Sequence, residues 1–250
     1  MAKKLKQNAT TEAAIDTAAL EAVVATIEAT EVQETEATVL EAPAVDFRDL
    51  LIGIAHEDAE AMLLATNAAI NDREYFEAEK NPENANIHRT LKKVRASLAR
   101  SYAARVMVAA QQDAGFINRH LMDGSRYNVY AIGKYADLVD ALAGSGMQNA
   151  INIAITRSLF AFAKAGVEFN GEMAKAAASD KIRVSEAVKK LLVRHTVSAS
   201  TAPTQASSTM QALETLGIVR IEGSRKNPVY KLRDTLTARR LAEVVEAMAA

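Results

Sequence analysis

From Phe47 onward, apolar residues recur at three- and four-residue steps through most of the chain, which predicts a mainly α protein. Phe47, Leu50, Leu51, Ile54, Ala61, Leu64 and Ala68 mark a first amphipathic helix to about Asn71, extending towards Glu79 and ended by Asn81-Pro82. A second runs from about Glu83 to Asp113, with Ile87, Leu91, Val94, Leu98 and Tyr102 on one side and Arg89, Lys92, Lys93 and Arg100 on the other. Turn residues around Asp113 to Gly115 and Asp123 to Ser125 precede a helix over Asn128 to Ala143. Met147 to Lys164 is apolar on most sides, the pattern of a central helix. Ala165 to Ser179, with Gly166 and Gly171, reads as a loop with a short helix, and Val184 to His195 as a further helix. Leu236 to Ala249 closes the chain as an amphipathic helix.

One stretch changes period. Met210, Leu213 and Leu216 recur at three-residue steps behind the cap-forming Ser207, Ser208 and Thr209, and Gly217 follows, so Thr204 to Leu216 is expected to be a short helix. Gln205, Ser208, Gln211 and Glu214 fall on its other side. Beyond it, Val219, Ile221, Tyr230 and Leu232 alternate with Arg220, Glu222, Lys231 and Arg233, the period of two half-buried strands. Gly223 to Pro228 joins them as a turn carrying Arg225 and Lys226.

Charge divides the chain more sharply than hydropathy does. Residues 1–46 hold three Lys and nine acids in a sequence of mostly Ala, Thr, Glu and Val, the composition of a disordered acidic tail. Within it Ile15, Ala19, Val23 and Ile27 recur at four-residue steps, so Thr11 to Ala29 reads as a solvated tail with residual, transient amphipathic helicity. It is open to a docking role, or to competition with DNA for the basic surface. Lys181 to Arg240 carries 12 Lys or Arg against 4 acids, although the whole chain has a net charge of -1. A second basic region, Asn86 to Lys134, has nine bases and two acids.

The order of small polar residues, then ALETLGIV, a strand, a basic turn and YKLRD resembles the second half of a winged helix-turn-helix DNA-binding domain, over about Lys181 to Arg240. The resemblance implies a recognition helix at Thr204 to Leu216 and a wing at Gly223 to Pro228. Helix side chains of such domains enter the major groove, and wing cations meet the backbone. Gln205, Ser208 and Gln211 are then expected at base edges, and Arg220, Arg225, Lys226, Lys231 and Arg233 at phosphates. Arg89, Lys92, Lys93 and Arg100 form a possible second basic surface. Only Thr196 to Pro203 separate the recognition helix from the preceding one, so the family's middle helix is shortened or missing.

Other chemistry finds no support. The chain has no Cys, which removes disulfides and thiolate metal sites. No GxxxxGK[ST], GxGxxG, GxSxG or HExxH occurs, and the four His are scattered, so no enzyme, metal site or cofactor is expected. The acids of residues 57–79 are expected to form a solvated face. No apolar run reaches the ~18 residues of a membrane span, and the N-terminus lacks a secretory apolar core, which suggests a cytoplasmic protein. The expected architecture is an acidic tail (1–46), an all-helical domain (47–179) and a winged helix-turn-helix domain with a β-hairpin and C-terminal helix (180–250). Its expected function is that of a bacterial or phage transcriptional regulator bound to double-stranded DNA, self-associating as a homo-oligomer. The alternative is a scaffold protein whose winged module binds another protein.

Overall fold

The computed structural model describes residues 46–121 and 125–248. The expected tail, Asp46 apart, and its segment Thr11 to Ala29 lie outside the described residues. The chain is mostly helical, with a small antiparallel sheet near its C-terminal end.

Short polar side chains at the helix starts satisfy amides that have no partner within the helix. Asp46 accepts from the Arg48 amide at 2.9 Å ahead of α1 (Phe47–Gly53). α1 and α2 (His56–Lys80) were expected as one helix, but Ile54 takes an extended conformation and separates them. The helix expected from Glu83 to Asp113 is divided too. Asn84 caps α3 (Ala85–Leu98), and extended Arg100 then starts α4 (Ser101–Ala109). Gly53 ends α1 at the first break, whereas the second, at Ala99 and Arg100, contains neither Gly nor Pro, the residues that punctuate sequence patterns.

A 3-10 turn at Ala114–Asn118 leads to α5 (Val129–Asp140), capped by Asn128 and continued by a π turn at Ala141–Ser145. Asn149 caps α6 (Ala150–Lys164). β1 (Phe169–Asn170), unforeseen in the sequence, ends at the Asn170 cap of α7 (Gly171–Ala178). α8 (Glu186–Leu191) is shorter than the expected Val184 to His195. α9 (Ala202–Thr215), β2 (Val219–Gly223), β3 (Pro228–Leu232) and α10 (Leu236–Ala247) follow as expected. The sheet order is β1-β3-β2, all antiparallel, with Val219 opposite Leu232, Ile221 opposite Tyr230 and Phe169 on the other side of Tyr230.

The core runs without a gap from Phe47 to Val245, so the boundary expected at residue 179 falls inside it. α9 packs chiefly on α5 and α7, and α10 on the π turn and α6. The helical region and the hairpin therefore share one hydrophobic interior. Phe116 stacks near Tyr127 and Tyr135, with ring centroids 5.8 and 4.3 Å away, while Phe169 lies between Phe162 and Tyr230.

Two polar groups cross this interior. Arg73, on α2, is 2 % exposed and donates to Glu77 Oε1 at 2.8 Å, the Ile117 carbonyl at 2.7 Å and the Tyr127 carbonyl at 2.6 Å. Desolvation lowers its pKa, and Glu77 opposes that shift. Glu77 is also buried, with Oε2 held by Asn81 Nδ2, so the acids of residues 57–79 do not all form the solvated face expected of them.

Lys134, on α5, is likewise buried and donates to Asn149 Oδ1 at 2.7 Å. Beside it the Asp137 carboxylate accepts from the Gln148 and Asn149 amides and from Asn152 Nδ2, and Asn152 Oδ1 accepts from Thr209 on α9. Desolvation pushes the Lys134 amine down from 10.5 to about 8. Between these values the unfolded chain holds the proton that the folded chain has lost, so stability rises with pH across that window. Below it the amine is charged in both states, and the folded chain bears the cost of burying it. Lys134→Met removes this titration without orphaning Asn149 Oδ1, which also accepts from the Ile151 and Asn152 amides. The expected result is a flatter stability curve between pH 8 and about 9.5 than in the parent, measured by urea unfolding. An unchanged slope would contradict the assignment.

Candidate nucleic-acid interface

The expected recognition helix is the most enclosed part of the proposed interface. Ala202, Ala206, Thr209, Met210, Ala212 and Leu213 are buried against α5 and α7. Ser208 is 1 % exposed, with its hydroxyl lacking a hydrogen-bond partner, so it does not reach solvent as expected. Gln205 is half-buried. The cause lies in helical phase. Residues three apart advance about 300° and so drift roughly 60° backwards at each step, which takes the row 205, 208, 211, 214 across the packed edge. The outward face carries Thr204, Ser207 and Glu214, with half-buried Gln211 between them. Gln211 Nε2 donates to Ser207 Oγ at 3.3 Å, and its Oε1 is buried without a partner. Of the three expected base readers, Gln211 alone lies at the centre of the outer face.

The hairpin is the reverse case. Arg220, Arg225, Lys226, Lys231 and Arg233 are all exposed. Period-two alternation explains it, since Val219, Ile221, Tyr230 and Leu232 face the core side and their neighbours point out. Gly223, with φ +79°, turns the chain at the end of β2, where a Cβ would stand 2.6 Å from the Asn227 carbonyl oxygen. Glu222 is the acid among these cations. It pairs with Lys231 at 3.1 Å and with Arg220, and the Lys231 hydrogen bond above all holds its carboxyl below the usual range. Lys226 and Arg233 make no ion pair among the described residues. Lys226 also lines a cleft of about 200 Å³ with Asn170, Glu172 and Asn227.

On the expected second surface Arg89, Lys92 and Lys93 project together from α3, and exposed Arg100 stands at the head of α4. Arg95 is drawn away from them by Glu74, at 2.7 Å. Near the C-terminal end of α9, Glu214 and Thr215 line a cleft of about 650 Å³ with Arg119, Asp113 and Phe116. Desolvation raises the Glu214 carboxyl, and Arg119 opposes that shift. Among the described residues no three His, Asp or Glu side chains gather in a way that would hold a metal ion. No helix there is long and apolar enough to cross a membrane.

The element order through this part of the chain is helix α6, strand β1, helix α7, the α8 segment, helix α9, then the hairpin. No helix forms between α8 and α9, and β1 extends the sheet on the side of β3 away from β2. Comparison with known proteins returns no matching family model, no matching curated protein and no matching solved structure.

Proposed function

We propose that this protein binds duplex DNA, with the β2–β3 hairpin serving as a wing along the phosphate backbone and α9 presenting Gln211 to the groove. The observation that carries the proposal is the hairpin's four exposed cations, with exposed Arg233 directly after it, against one acid, Glu222. Such a density of Lys and Arg at one projecting element is what polyanion binding requires. Support also comes from the order in which α9 leads directly into the β2–β3 hairpin with its exposed turn, as the winged-helix resemblance implies. Residues 47–250 hold 27 Lys and Arg against 22 acids, a net of +5, so the chain's negative balance comes from its first 46 residues.

Backbone contact dominates in this proposal, because the outer face of α9 bears Thr204, Ser207 and Glu214 and no cation. Base discrimination then rests on Gln211, whose amide, once its side chain swings out to free the buried Oε1, is able to bond two atoms of an adenine. Selection from a random duplex pool, followed by Gln211→Ala on the selected and scrambled sites, tests this directly. The substitution is expected to cost about 1–3 kcal/mol on the selected site and little on scrambled DNA. Equal losses on both would remove base reading by α9.

A protein-binding role draws on a different observation. Leu64 and Tyr75 are 67 % and 69 % exposed on one face of α2, with exposed Ala68 between them. Exposed apolar faces of this kind mark contacts with other proteins or with a second copy. That role alone predicts no retention on duplex at low salt.

A further inference from the structure

The cleft of about 650 Å³ between the 3-10 turn and the last turn of α9 holds charges of both signs, Arg119 against Asp113 and Glu214. Its volume is that of a small-molecule site, roughly 300–1,000 Å³. Arg119 is near enough to Glu214 to favour its charged form, yet no ion pair joins it to either acid among the described residues. Each of the three is instead held by a neighbour of its own. The Arg119 guanidinium lies over the Tyr127 ring, 4.9 Å from its centroid. Asp113 Oδ1 accepts from the Gly115 amide at 2.6 Å, and the Glu214 carboxylate accepts from the Ile221 amide of β2. The Thr215 hydroxyl, also in the lining, is tied to that of Tyr127 at 2.9 Å. The opposite charges therefore face one space and leave each other unpaired.

We propose that this cleft binds a small zwitterion, of the chemical class of free amino acids, with its carboxylate on Arg119 and its ammonium on the Glu214 and Asp113 carboxylates. The balance of charge selects this class. A simple anion such as phosphate would meet two carboxylates for one guanidinium, and a simple cation would meet Arg119. Only a ligand carrying both charges gives every charged group of the lining an opposite partner. The planar guanidinium is suited to a carboxylate, which it takes through two parallel hydrogen bonds. Because each side chain is already held by a neighbour, the ligand meets groups whose ordering cost is largely met in the free protein. The site is independent of the duplex reading, since none of its lining residues is assigned to a phosphate or a base.

Calorimetric titration of the full chain with glycine, β-alanine and γ-aminobutyrate, which carry the two charges at increasing separation, tests the assignment. At least one of them is expected to bind, about tenfold or more tightly than acetate or methylammonium, which carry one charge each. Arg119→Gln and Glu214→Gln should each weaken that binding about tenfold or more. Both side chains are exposed, so circular dichroism should show the fold intact. Lys164→Gln, which removes an exposed cation of α6 outside the cleft, should leave the affinity unchanged. No binding of any of the three up to about 10 mM would overturn the proposal. Acetate binding as tightly as the best zwitterion, or an affinity unaltered by Arg119→Gln, would overturn it too.

Discussion

Arg73→Leu is expected to cost about 3–5 kcal/mol of folding stability, on the order of 10 °C in Tm. The side chain ties α2 to the 3-10 turn and to the approach to α5 through two backbone carbonyls, of Ile117 and Tyr127. Leu fills similar space but donates nothing. Both carbonyls lose a charged donor, and Glu77 is left buried with Asn81 as its remaining side-chain partner. Arg95 provides the comparison, since it also bonds a carboxylate of α2, but at 35 % exposure. Arg95→Ala should cost less than about 1 kcal/mol, because water screens the pair and solvates whatever is left. Urea unfolding of the two variants decides the matter. Similar small losses would show that Arg73 ties nothing down.

The second large effect is on binding. Arg225→Ala combined with Lys226→Ala is expected to weaken every duplex about tenfold and to make the salt dependence shallower by about two units, one per lost phosphate contact. Both residues are exposed at the turn between β2 and β3, so thermal unfolding should be unchanged. Because the contacts are with phosphate, selected and scrambled sites should lose equally. A loss confined to one sequence would mean that the wing reads bases. No loss on any duplex, with the fold intact, would remove the hairpin from the interface.

The hairpin was legible in the sequence because alternation and turn residues are local signals, and both strands appear within a residue or two of where they are expected. The helical character was legible for the same reason. What remained hidden depends on partners distant in sequence. β1 is only two residues long and exists because Phe169 pairs with Tyr230, 61 positions later. Glu77 sits among acids that suggest a solvated face, and only the carbonyls brought to Arg73 by the 113–128 segment explain its burial. Lys134 falls where α5 meets α6, and nothing in its neighbours announces a buried amine. The base-reading face was misplaced for a different reason. A row of three-residue steps looks like one face of a helix over two members, but drifts by a third of a turn over three. Gln205 and Ser208 were therefore grouped with Gln211, although α5 and α7 cover the side to which they belong.

Duplex binding through exposed cations has a direct signature in its response to salt. Association of the full chain with a random-sequence duplex, followed by fluorescence anisotropy from about 50 to 200 mM salt, reports how many phosphates are neutralised. With the four hairpin cations and Arg233 engaged, log K should fall against log salt with a slope near -4.5, at roughly -0.9 per phosphate. A flat response, or no association at the lowest salt, would contradict it.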